Sequence, residues 1–335
     1  MHKRLVNEAV IGLTISPLGP ILIKAGESGV DPTRPDMEFV RTWHGGEETI
    51  YLPGSSLKGV LRAHCERIAR TIQERAPEDT PPLSCNPIRG GNRWGRDDFA
   101  CSKYFERKDV KDELEHLEKE GELVGAVKHK RSCFICQMFG NTSLASHFRI
   151  ADAYPVDTSQ VKTEERNGVA IDRVFGSVAV GPFQFEVVTQ GDFRTTLTLK
   201  NFTLAQLGLL ALALRDLSEG RVSLGFAKSR GLGRIAVRFD VLTLRYPLAE
   251  KRDGQIYLIG WAEPAGEAGE LLGVSAFLAD DERRAYGYPE DDRATLPAGL
   301  SYGESSYGEL ELALTSKEDI ENIWRVCVPK WREAV

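Results

Sequence analysis

Gly225-Phe226-Ala227-Lys228-Ser229-Arg230-Gly231-Leu232-Gly233 stands between two unlike stretches. Before it, Leu204 to Leu217 is almost continuously apolar, the reading of a buried helix. After it, Arg234 to Leu244 alternates apolar and polar residues, the period of a strand with one buried face. Glycines in such a loop let the backbone turn with positive φ and approach a ligand closely. Consecutive amide N–H groups can then cup a phosphate, while Lys228 and Arg230 supply charge. An ordinary glycine-rich turn is the plain alternative.

Outward from this unit, Ala9 to Ser16 reads as a strand. Pro53-Gly54-Ser55-Ser56-Leu57-Lys58-Gly59 opens a helix that Ser55 or Ser56 can cap, and Leu57, Val60, Leu61, Ile68 and Ile72 recur near helical spacing. A helix start presents N–H groups and partial positive charge, and the two hydroxyls and Lys58 add donors. Phe148 to Ala153 and Leu197 to Leu199 read as strands, and Val169 to Val188 as a hairpin with Gly176 and Gly181 near its bend. Helices interleaved with non-adjacent strands predict an α+β fold, ferredoxin-like or RNA-recognition-motif-like. Residues 77–146 read as an insertion, with a charged helical stretch from Lys108 to Glu122. The body spans 1–245. An acidic, Gly-rich extension, 246–335, ends in a helix with Trp324 and Trp331.

Charge is unevenly distributed. The net is −6, yet Glu263 to Val335 holds sixteen acids and seven bases, a net of −9, which leaves +3 on residues 1–262. Arg221 to Phe239 carries Arg221, Lys228, Arg230, Arg234 and Arg238 with no acid. A basic body with an acidic tail is compatible with binding a polyphosphate, though a solvated charged face has the same composition. No run of about 18 apolar residues occurs, so no membrane span is expected. The N-terminus has no apolar core of a secretory signal, which makes cytoplasm the expected location and a disulfide scaffold an unexpected use of six cysteines.

Cys133-Phe134-Ile135-Cys136 is a CxxC pair, with Cys85 and Cys101 upstream in the same insertion. Four thiolates complete a closed tetrahedral site for structural Zn2+. His64, His116 or His129 are alternative ligands for one position. A redox CxxC is the rival reading, without the βαβ context that such motifs occupy. Cys65 and Cys327 lie in apolar helical patterns and are expected in the core.

Taken in order, these motifs resemble the RAMP superfamily, specifically the backbone subunits of type III CRISPR RNA-guided effector complexes. The residues that carry the resemblance are Pro53–Gly59, Ala170-Ile171-Asp172-Arg173, Gly225–Gly233 and the insertion ending at Cys136-Gln137-Met138-Phe139-Gly140, across residues 8–245. The resemblance implies a palm that grips CRISPR guide RNA through Ser55, Ser56, Lys58, Lys228, Arg230 and Gly231. Arg62 and Arg173 are further RNA-binding candidates, and a thumb hairpin from about 167 to 188 enters the duplex with target RNA. The implied partners are guide RNA, target RNA and other effector subunits, including further RAMP proteins, with no membrane. Members that cut the target use a loop aspartate after the first strand, here Asp36 or, second, Asp31, with Mg2+ or another divalent ion. A guide-binding scaffold without catalysis and a guide-processing endoribonuclease are the alternatives.

Overall fold

The computed structural model describes residues 4–26, 35–72, 80–88, 91, 93 and 99–334. Its main sheet is antiparallel and seven-stranded. In spatial order it runs Gly303–Glu304, Leu310–Leu314, Ile235–Tyr246, Glu8–Pro17, Phe193–Lys200 and Phe148–Ile150, with Tyr154–Pro155 also on Phe193–Lys200. Helix Gly54–Ile72 lies between the first strand and Phe148–Ile150, and helix Leu204–Ser218 lies between Phe193–Lys200 and Ile235–Tyr246. That strand–helix–strand–strand–helix–strand order, with the first strand flanked by the third and fourth, is the expected ferredoxin-like palm.

Alternation assigns the faces. Along the first strand, Ala9, Ile11, Leu13 and Ile15 are at most 1% exposed. Leu197 and Leu199 of the neighbouring strand share that buried face. The other face carries Arg149, Arg194, Thr196 and Arg238, all exposed. Helix Leu204–Ser218 packs on Ile235–Tyr246 and against helix Gly54–Ile72. Its capping box is complete: the Thr203 side chain accepts from Gln206 N, and Gln206 accepts from Thr203 N.

The strand read at Phe148 to Ala153 closes early, at Ile150, because Ala151 N turns to Thr196 O and Ala153 N to Leu52 O. The hairpin is longer than its pattern predicts, Lys162–Ile171 paired with Val178–Gln190. Its outer half is exposed on both sides, so no buried face imposes alternation on it. The extension adds Leu310–Leu314 beside Ile235–Tyr246 in the same sheet. Helix Lys317–Glu333 packs on helix Leu204–Ser218, where a Cβ at Gly208 would come within 2.2 Å of the Cys327 carbonyl oxygen. Only glycine allows so close a backbone crossing there. No helix among the described residues is long and apolar enough to cross a membrane.

Candidate nucleic-acid interface and metal centre

The stretch 20–25 joins three of the predicted features. Ile21 exchanges backbone hydrogen bonds with Val188 of the hairpin, at 2.8 and 2.9 Å. Leu22 O accepts from Phe226 N at 2.7 Å, and Pro20 O from Gly233 N at 2.8 Å, which fixes both ends of the Gly-rich loop. Ile23 O accepts from Val40 N at 3.0 Å, and Ala25 N donates to Glu38 O at 3.0 Å. Loop, hairpin and the Asp36 segment therefore hang on one backbone ladder.

Gly225 has φ +87, and a Cβ there would lie 2.2 Å from Leu22 O, so the loop's first turn requires glycine. Ala227 is left-handed (φ +53), and Lys228–Arg230 form one short turn closed by Gly231 at φ +85. Lys228, Ser229, Arg230 and Gly231 are all exposed. Arg230 lies over the Phe226 ring, 5.4 Å from its centroid. Partial burial lowers the Lys228 pKa, and the nearby Arg67 charge adds to this. The loop thus presents two cations beside helix Gly54–Ile72.

The helix start differs from its reading. The helix begins at Gly54, whose N–H donates to Asp152 Oδ1 at 2.7 Å. The cap is a carboxylate from 98 residues away, while Ser55 is exposed and Ser56 half-buried in the first turn. Lys58 turns inward: its Nζ donates to Ser146 Oγ at 2.8 Å and Phe148 O at 3.2 Å. Desolvation lowers its pKa, helped by Arg62 and Arg149. Arg62 donates to Glu66 Oε1 at 3.0 Å, Gly140 O at 3.1 Å and Cys136 Sγ at 3.5 Å. Both side chains tie the helix to the insertion and its following strand. The exposed line of the helix is Ser55, Gly59, Ala63 and Arg67. Arg67, twelve residues and so three steps of four after Ser55, extends that line, a spacing visible in the sequence.

Asp36 is exposed beside the middle of the hairpin strand Val178–Gln190, where its Oδ2 accepts from Gln184 N at 2.8 Å. Met37 N continues this pairing to Gln184 O, and Glu186 N to Met37 O. Glu186 then holds Arg41 through two hydrogen bonds and accepts from Phe39 N at 3.1 Å. Burial opposes its ionisation, but the Arg41 hydrogen bond and the Phe39 N–H outweigh it and hold its pKa below the usual range. Asp31 lies outside the described residues. Arg173 is exposed at the hairpin tip, next to Val174 and Phe175, which are 81% and 85% exposed.

The Sγ atoms of Cys85, Cys101, Cys133 and Cys136 lie within 4.8 Å of one another, and all four residues are buried. Cys133 N donates to Cys101 Sγ at 3.2 Å, and Cys136 N to Cys133 Sγ at 3.3 Å. Hydrogen bonding to the other sulfurs, Cys101 first, pushes the Cys85 pKa down. Four sulfurs at this spacing could hold a metal ion, with Arg62 offsetting thiolate charge. The histidine alternatives go elsewhere: His64 Nε2 meets Asp216 Oδ2 at 2.7 Å, His116 Nε2 meets Glu120 Oε1 at 3.3 Å, and His129 Nδ1 meets Tyr286 O at 2.9 Å. Cys65 and Cys327 are fully buried, as expected of core residues. Among the described residues no second group of three or more ligating side chains comes together.

No individual curated protein matches the chain. The RAMP superfamily model matches residues 14–236, more than half of the chain, from the end of the first strand through the Gly-rich loop. The chain belongs to the RAMP superfamily, and that membership supports a CRISPR-associated, RNA-binding role.

Proposed function

We propose that the chain is a guide-RNA-binding backbone subunit of a type III CRISPR effector complex, cutting complementary target RNA with Asp36. The supporting observation is the shared ladder at 20–25, which ties the basic loop, the hairpin and the Asp36 segment together. In this reading the exposed Lys228 and Arg230 meet guide phosphates, along with Ser55, Ser56 and Gly231. Lys58 and Arg62 reach RNA only if they leave their present partners. The apolar tip around Arg173 enters the guide–target duplex. Other effector subunits, including further RAMP proteins, are the expected neighbours.

At the cut, the Asp36 carboxylate takes the proton of a target 2′-hydroxyl. The 2′-oxygen attacks the adjacent phosphorus, the bond to the 5′-oxygen breaks as that oxygen takes a proton from solvent water, and a 2′,3′-cyclic phosphate and a 5′-hydroxyl result. The cysteine site holds structural zinc, which stabilises the insertion and takes no part in this step.

The test is cleavage of guide-complementary RNA by the reconstituted complex, with Asp36→Ala and wild type, with and without Mg2+. Loss of cuts with guide binding retained supports the assignment. Unchanged cuts exclude Asp36 and move the chemistry to Asp31 or to another subunit; unchanged cuts with both aspartates replaced favour the scaffold reading, in which the Asp36–Gln184 hydrogen bond serves as a hairpin anchor.

A further inference from the structure

Three aromatic rings, distant in sequence, form a ladder beside the start of helix Gly54–Ile72. The His44 and Tyr154 rings stack with centroids 3.7 Å apart and planes 11° apart. Tyr51 lies offset from Tyr154 at 5.9 Å and 18°. His44 is exposed, at the end of the small hairpin Arg41–His44 and Glu47–Ile50, which turns on Gly45 and Gly46. Its stacked face is taken by Tyr154, so the ladder ends at an accessible ring.

Charge lies next to the rings. Tyr154 is directly opposite Arg194 in the sheet register, and Arg194 opposite Thr14. Residues directly opposite project from the same face. Arg194 is exposed on the uncovered face and has no ion pair among the described residues. Arg149, also exposed, lies nearby on strand Phe148–Ile150. Two residues before Tyr154, Asp152 holds the helix start at Gly54 N. Stacking rings beside a cation on a sheet face are what an unpaired nucleotide needs, a π-surface for its base and a charge for its phosphate.

We propose that His44, Tyr154 and Tyr51 form a stacking platform for one unpaired RNA base, whose phosphate meets Arg194. The site uses none of the residues assigned to the Gly-rich loop or to the cut, and it rests on the reading of the chain as an RNA-binding subunit. A neighbouring protein chain is the competing occupant, and Glu47 and Glu48 on the same small hairpin set the limit on how much phosphate charge can gather there.

The test is equilibrium binding of the full chain to a short unstructured single-stranded RNA, to an abasic strand of equal length, and to the same sequence in a duplex. The variants are His44→Ala, Tyr154→Leu and Arg194→Ala, each checked for an unchanged melting temperature. His44→Ala, at an exposed turn, remains informative if Tyr154→Leu fails to fold. The expected result is about a tenfold loss for base-bearing single strands with His44→Ala, and none for the abasic strand or duplex. Arg194→Ala is expected to weaken both single strands and to reduce the salt slope by about one. Equal affinity of His44→Ala and wild type for base-bearing RNA overturns the platform, as does an equal loss on the abasic strand. Failure of the wild type to bind any of the three RNAs overturns the RNA-binding reading itself.

Discussion

The insertion 77–146 and the hairpin Lys162–Gln190 interrupt the same palm, and they spend their apolar residues in opposite ways. Within the insertion, Phe99, Tyr104, Phe105, Ile135, Met138 and Phe139 are buried, and Phe134 packs on Trp331 of the last helix. In the hairpin, Val169, Ile171, Val174, Phe175, Val178 and Val180 are exposed, and only the root, at Val187 and Val188, enters the core. The first segment is knitted into the body by packing and by four sulfurs. The second is held at one end and offers its apolar surface outward. Contiguous exposed apolar surface of this kind marks a place where something else binds.

This contrast is breakable at several points. The largest effect is expected from Cys133→Ser, which removes one member of the buried cysteine set. Loss of a structural metal is among the mechanisms that cost about 4 kcal/mol or more. Metal content and the calorimetric transition should fall together, and an unchanged transition in metal-free protein would show that packing alone holds the insertion. Gly208→Ala comes next. Its Cβ would press on the Cys327 carbonyl, and overpacking of this kind costs roughly 1–3 kcal/mol, read as a lower urea midpoint.

Asp292 gives a pH-dependent view of the same knitted half. It is buried, accepts from Leu204 N and Ser275 N at 2.8 and 3.1 Å, and so ties the extension to the start of helix Leu204–Ser218. Burial pushes its pKa up to about 7. The folded protein therefore binds this proton more tightly than the unfolded chain. The Asp292 contribution is greatest below the unfolded value of about 3.9 and declines as pH rises through the folded value. Urea midpoints across that window should fall more in wild type than in Asp292→Asn. Parallel profiles would remove Asp292 as the cause.

The smallest stability effect is expected in the hairpin. Val174→Ser with Phe175→Ser should move stability by no more than about 0.5 kcal/mol, because both side chains are already in solvent. The same pair should impair target cutting in the assembled complex. A large fall in melting temperature would mean that the tip packs on the body, and the contrast would fail.

Periodic and compositional signals were readable in advance. The helix at Gly54–Ile72, the first strand and Ile235–Tyr246 follow from their spacing, and the helix at Leu204–Ser218 from its nearly unbroken apolar run. The cysteines were identifiable by type, although their sixteen-residue upstream spacing is irregular, because a rigid fold can bring any spacing to one point. Side-chain direction was not readable. Lys58 and Arg62 sit at positions compatible with a gripping face, but carbonyl, hydroxyl, carboxylate and sulfur partners from distant segments turn them inward. The Asp152 cap and the His44–Tyr154–Tyr51 ladder depend on segments about a hundred residues apart, which no local pattern links. The insertion also buries more apolar surface than its Pro, Gly and charge content implied, since its few aromatics are gathered against the helices.

The pairing of Leu310–Leu314 with Ile235–Tyr246 has a consequence for crowding. Outside it the sheet ends at Gly303–Glu304, only two residues long, and the opposite margin is Phe148–Ile150 and Tyr154–Pro155, three and two residues. Short outer strands are poor templates for another chain's backbone. The short outer strands at both margins give another chain little backbone to pair with, so a neighbour brought against them meets side chains rather than extending the sheet.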